Sequence, residues 1–130
     1  LVAEVAKRGR PLLIHNDGPN YASALLELAR AHPRLKIIIA HAGPGWPDAA
    51  AFAAAAQADN LYLEFCTTYP WRGAIRAAID SVGAERVLFG SDFPLIDPGY
   101  VLGHYGDAEL SSAEEEKIMY TNARGVFGNG

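Results

Sequence analysis

The sequence holds one cysteine, Cys66, and one methionine, Met119, among its 130 residues. A lone thiol excludes a disulfide within the chain, so a reducing compartment, the cytoplasm, is the expected location. Basic residues are also short, 11 Lys and Arg against 15 Asp and Glu. The resulting net charge of −4 and pI near 5.5 offer no basic stripe to a phosphate backbone, which argues against nucleic acid as a partner. No long apolar run is present: "KIIIAHAG" and the alanine run around Phe52 fall well short of the roughly 20 residues a spanning helix requires, so no membrane association is expected. Ser91 in "FGSDF" lacks the Gly-x-Ser-x-Gly elbow that exposes a nucleophilic serine, which disfavours a serine hydrolase. Nor is a natural start expected at Leu1. Leu1, Val2, Val5 and Ala6 recur at helical spacing before Gly9, so "LVAEVAKRG" reads as the tail of a helix that begins elsewhere, and a targeting signal would be missing with it.

What is present is regular. Half of the residues are hydrophobic and a fifth are charged, a composition for one compact domain over residues 1–130. Four apolar runs, "PLLIH", "KIIIAH", "LYLEFC" and "RVLFGSD", end at His15, His41, Cys66 and Asp92, at intervals of 26, 25 and 26 residues. A turn and a helical pattern follow each run, with helices expected at 21–32, 47–58, 72–82 and 112–127. Pro47 and Asp48 suit a first helical turn, Pro33 and the Asp59–Asn60 pair end helices, Gly83 closes the third, and Ser112 with Glu115 matches a capping box. Strands apolar on both faces that alternate with helices predict a parallel sheet, because parallel neighbours need long crossovers. Units of about 25 residues fit a doubly wound sheet or half of a (β/α)8 barrel.

Alternation along the strands groups His15 with Leu13, His41 with Ile37 and Ile39, and Asp92 with Leu88 and Gly90. Each polar group stands at the carboxyl end of its strand, where barrel active sites are built. Two imidazoles and a carboxylate suit a borderline divalent metal such as zinc, which lowers the pKa of a bound water. Asp92 can bind the metal, take a proton from that water, or both, and Gly90 leaves space below it. The plainer alternatives are hydrogen-bonded structural histidines and an Asp92 that caps its own turn. His32, before Pro33, reads as structural, and His104 as a solvated residue of a long loop. Glu64 lies inside the third run, where a carboxylate needs a partner; simple pairing with Arg86 is favoured over support of a ligand. Trp46, Tyr69, Trp71 and Phe93 follow strand ends and line a pocket for a flat substrate or pack the rim, with Arg72 available for a carboxylate. Asn16 and Asp17 bond substrate or shape their turn.

The segments "PLLIH", "HPRLKIIIAHAGPG", "NLYLEFC", "RVLFGSDFP" and "YTNARGVFG", in this order and spacing, resemble the second half of the amidohydrolase-related, metal-dependent TIM-barrel hydrolases and decarboxylases. The resemblance implies an α/β fold, the C-terminal half of a (β/α)8 TIM barrel built from four parallel βα units, and a fragment that lacks the N-terminal half. It also implies His15 as a metal ligand, His41 as a residue that binds substrate or assists proton transfer, and Asp92 as the carboxylate at the metal and its water. Members hydrolyse lactones or related bonds, or remove carboxylate from aromatic and related acids, usually with zinc or manganese. Zinc is the expected metal here, and a small anionic or aromatic molecule the expected substrate, bound by Trp46, Tyr69, Arg72 and Phe93. The family's first-strand His-x-His has no counterpart in this sequence. The rival expectation is therefore an inactive truncated barrel that serves as a binding or assembly module. A half barrel exposes strand edges and an apolar wall, so self-association, with two copies closing on each other, is expected as well.

Overall fold

A computed structural model describes residues 1–16, 19–42, 49–66 and 71–128. Four strands, β1 (Leu12–His15), β2 (Ile37–Ala40), β3 (Leu61–Glu64) and β4 (Val87–Leu88), form one sheet in the order β1-β2-β3-β4. All three pairings are parallel, as the βα repeat requires. The helices are α1 (Val2–Lys7), α2 (Pro19–Ala31), α3 (Ala50–Ala55), α4 (Ala74–Val82), α5 (Pro98–Gly106), α6 (Ser112–Glu116) and α7 (Asn122–Phe127). Among them, no helix is long and apolar enough to cross a membrane.

The helix-side face of the sheet carries the main core. Ile37, Ile39, Leu61, Leu63 and Val87 are fully buried there against Leu25, Ala29, Phe52, Ala55, Ile75 and Ala78. Small residues on α2, α3 and α4 let the helices approach the strands closely, which is the use of the alanine-rich segment. The opposite face holds a smaller cluster, Ile38, Leu88 and Val126, with Tyr62 and Ala123 packed against it.

One helical run therefore serves two faces. Between α6 and α7 the backbone widens into a π-helical turn, Lys117–Thr121. Ile118 within it is buried in the helix-side core, and its carbonyl accepts a bond from the Phe89 amide at 3.2 Å. One inserted residue per π turn rotates the helix face that follows, so Ala123 and Val126 of α7 meet the inner wall instead. Asn122 donates to the carbonyls of Ala84 and Val87 at 2.7 and 2.8 Å, and Lys36 Nζ reaches the Gly125 carbonyl at 2.5 Å. These contacts seat α7 beneath the amino-terminal ends of β2 and β4.

Several boundaries differ from the sequence expectation. The capping box forms one residue earlier, with Ser111 and Glu114. Ser112 and Glu115 have the same spacing; the register is decided by Arg76 of α4, whose guanidinium grips Glu114 at 2.8 and 3.2 Å. Asn60, expected to end its own helix, donates from Nδ2 to the carbonyls of Ala29, His32 and Leu35, and so closes the carboxyl end of α2. Pro47 and Asp48 lie outside the described residues. The expected long loop after Asp92 contains α5, started by Asp97, whose side chain accepts from the Gly99 and Tyr100 amides, and by Pro98 at the first helical position. His104 sits on this helix with its ring edge-on to that of Tyr100, centroids 4.7 Å apart, and its Nε2 is buried, so it is not a solvated loop residue.

Candidate active site

The strand register sets the level from which the site rises. His15 pairs with Ala40 and Glu64 with Leu88, and continuing the Ile39–Leu63 register places all four at one height. His41, Cys66 and Asp92 lie past that level, beyond the last paired residue of β2, β3 and β4. Simple alternation would put His41 with Ile37 and Ile39, on the helix side. The structure reverses this: Ile37 and Ile39 are buried in the helix-side core, while His41 lines the inner cavity with Ile38 and Ala40. The cause is a backbone turn, because His41 has φ 54°, in the left-handed region, and the strand's alternation ends at Ala40.

Asp92 shares that conformation, with φ 57°. Such non-glycine positions cost of order 1–3 kcal/mol and persist only where their surroundings hold them. His41 is held from two sides: its Nδ1–H donates to the Cys66 carbonyl, and its own carbonyl accepts from Asn16 Nδ2 at 3.4 Å. Asn16 is buried, so it serves the turn geometry. For Asp92, the backbone carbonyl accepts from the amides of Leu95 and Ile96 at 2.9 and 3.3 Å.

Together these residues line a cavity of about 360 Å³ on the inner face of the sheet. Leu13, Ile38, Leu88, Ala123 and Phe127 form its apolar wall and floor; His15, His41, Glu64, Cys66 and Asp92 supply its polar groups. The rings of His15 and His41 meet edge to face, with centroids 4.5 Å apart. One ligand atom each from His41, Cys66 and Asp92 lies within 4.8 Å of the other two. With its Nδ1 donating to a carbonyl, His41 keeps the lone pair on Nε2.

Glu64 is 5 % exposed and does not pair with Arg86. Arg86 precedes β4, at the other end of the sheet, and bonds to the carbonyls of Val82, Ala55 and Ala58. Glu64 Oε2 instead accepts from Cys66 Sγ at 2.7 Å, and Oε1 is buried with no hydrogen-bond partner among the described residues. Burial raises the Glu64 pKa, against smaller lowering effects of Cys66 and His41. Burial and the adjacent Glu64 also push the Cys66 thiol up, which keeps it protonated in the absence of a cation. The space for the carboxyl group is made by Gly90, where a Cβ would stand 1.7 Å from Oε1.

Of the other residues singled out in the sequence, Trp46, Asp17 and Tyr69 lie outside the described residues. Phe93 is 72 % exposed, and neither it nor the exposed Arg72 is part of the cavity wall. Trp71 packs on Phe52, with centroids 6.3 Å apart, in the helix layer. Sequence reasoning missed Cys66 as a donor, although it ends the third apolar run at the spacing of the other three.

Solved (β/α)8 amidohydrolase barrels superimpose on the chain over about half of their length, so the four parallel units are half of a TIM barrel. One of them, a dihydroxybenzoic acid decarboxylase from Polaromonas sp. JS666 with bound manganese and the inhibitor 2-nitroresorcinol, matches with a TM-score of 0.73 at 19 % identity, covering 96 % of this chain and 52 % of that one. Residues 1–128 match the amidohydrolase family model, and the chain belongs to that family. Among curated relatives, L-fucono-1,5-lactonase of Burkholderia ambifaria is 31 % identical over 85 % of this chain and 44 % of its own length. Gamma-resorcylate decarboxylase of Rhizobium radiobacter is 28 % identical over 75 % of this chain and 35 % of its own. The chain thus spans less than half the length of the curated relatives it matches.

The residues present fit a divalent metal. Imidazole, carboxylate and thiol donors converge at one end of the cavity, and a buried carboxylate oxygen beside them has no partner among the described residues.

Proposed function

We propose that this chain forms, as one domain, half of the active-site barrel of a metal-dependent hydrolase or carboxy-lyase acting on a small anionic or aromatic substrate. The observation that carries the reading is the single cavity in which His15, His41 and Asp92 stand together at the carboxyl ends of the strands. Family membership supports catalysis over an inactive assembly module.

In this reading His15 and Asp92 hold the metal, with zinc ahead of manganese because nitrogen and sulfur donors surround the position. A bound divalent cation supplies a Lewis acid and an acidified water. Nε2 of His41, the nitrogen left with a lone pair, takes or steadies a proton on the substrate, and Asp92 accepts one from water or leaving group. The strained turns at both residues fix where those atoms point. Trp46, Tyr69, Arg72 and Phe93, which follow strand ends in the sequence, are the candidates for contact with a substrate that extends beyond the described cavity wall, with Arg72 suited to a carboxylate. The apolar wall below excludes water from the reacting end.

The test is turnover by the protein carrying this chain, loaded with zinc or manganese, on 1,5-lactones and on hydroxybenzoates, read as acid release or carbon dioxide release. Asp92→Asn and His15→Ala should lower both metal content and rate, and His41→Asn should lower kcat. Unchanged metal content and rate in Asp92→Asn would refute the assignment.

A further inference from the structure

The resemblance pairs His15 with Asp92 at the metal, yet among the described residues the three donors that gather within 4.8 Å of one another are those of His41, Cys66 and Asp92. We infer that these three form a cation site with a thiolate ligand, suited to a borderline or soft divalent ion, beside His15 and sharing Asp92 with it. The inference rests on donor geometry and does not require turnover, so it stands or falls apart from the function proposed above.

Three consecutive strands each deliver one donor to the same end of the cavity, all within 4.8 Å. Metal–ligand bonds of about 2.0–2.3 Å place tetrahedral donors roughly 3.5 Å apart. Side-chain rotation closes that difference, and the cavity leaves a fourth position for water. Nitrogen, sulfur and one carboxylate suit zinc, cobalt or cadmium better than manganese, which prefers oxygen.

Independent support comes from Glu64, only 5 % exposed, with Oε1 unpartnered among the described residues and Oε2 on the Cys66 sulfur. A buried carboxylate oxygen without a donor is costly, and a cation at the adjacent thiolate supplies the missing positive charge. Coordination breaks the Sγ–H bond, leaves its electron pair on sulfur for the metal, and releases the proton by way of Glu64 Oε2 to solvent. Gly90 protects the arrangement, since any side chain there would occupy the place of the Glu64 carboxyl group.

The experiment is titration of metal-free protein with cobalt(II) alone, followed by absorption spectroscopy. Wild type and His15→Ala should both show the near-ultraviolet sulfur-to-cobalt charge-transfer band. Cys66→Ser should lose the band and bind cobalt at least about tenfold more weakly. X-ray absorption of the zinc-loaded wild type, which should contain one sulfur scatterer, keeps the test independent of whether the variants fold. Absence of both the band and the sulfur scatterer in wild type overturns the inference, whatever the catalytic result. A sulfur-ligated metal in a protein without turnover would sink only the proposed function.

Discussion

Replacement of Gly90 by alanine tests whether the buried carboxyl group and the glycine beneath Asp92 are one device. The added Cβ would stand 1.7 Å from Glu64 Oε1, 2.4 Å from Cδ and 2.9 Å from Cγ, all closer than real carbon contacts permit. The carboxyl group cannot move freely, because it is buried and bonded to the Cys66 sulfur at 2.7 Å. Either β4 is displaced, an overpacking cost of about 1–3 kcal/mol, or Glu64 gives up its bond, a loss of similar size, about 1–3 kcal/mol. Gly90→Ala should therefore destabilise by about 2 kcal/mol or more. Glu64→Ala removes all three clashing atoms, and Gly90 has no positive φ that would resist a side chain. In that background the same substitution should be neutral, or stabilising by up to about 1 kcal/mol through the unfolded chain. Urea unfolding of wild type, the two single variants and the double variant, read from the midpoint at constant m, gives the coupling directly. Equal costs in both backgrounds would refute the reasoning and place the strain elsewhere.

Three other contacts of the fold have measurable consequences. Asn60→Ala strips a donor from the carbonyls of Ala29, His32 and Leu35 and should cost about 1–3 kcal/mol in thermal or urea unfolding; a change below measurement error would mean that water replaces the amide. Arg76 and the Ser111 groups lower the Glu114 pKa from 4.5 to about 2. A carboxylate depressed in the folded state binds its proton first in the unfolded chain, so its contribution is present above pH 4.5 and is lost as pH falls through about 2. Glu114→Gln should thus be less stable than wild type near neutrality and converge on it at the acid end; a constant difference across that range would contradict the ion pair's role. Finally, β1 is a sheet edge and Leu13 on the inner wall is 57 % exposed, so the isolated chain should run as a dimer or larger species in native mass measurement, and a stable monomer would argue against closure by a second copy.

The βα repeat was legible because each strand is buried on both faces and each crossover has helical length, two constraints that leave period and composition in the sequence. Which residues reach the cavity was legible only in part. His15 follows alternation, since β1 is regular to its end. His41 does not: alternation assigns it to the helix side, and a left-handed turn held by Asn16 and the Cys66 carbonyl brings it in. That turn depends on contacts 25 residues away in sequence, which local pattern cannot register. The capping box was misplaced for a related reason, because two equivalent Ser-x-x-Glu frames exist and Arg76 from another helix selects one. α5, by contrast, carried a local signal in Asp97–Pro98 that the surrounding turn residues obscured.

The π-helical turn between α6 and α7 bears on the chemistry more than its distance from the donors suggests. Without the rotation it introduces, the apolar face begun by Ile118 would continue along the helix-side core, and Ala123 and Val126 would have no route to the inner wall. With it, α7 covers the amino-terminal ends of the strands, so the cavity is apolar at its floor and polar only where His15, His41, Glu64, Cys66 and Asp92 converge. A charged ligand loses its water only where donors replace it, so the proposed cation and substrate would sit at that end. The low-polarity wall beneath them strengthens each remaining electrostatic contact. Placement of charge in this half barrel is therefore set as much by the helix that closes its base as by the residues that bind at its mouth.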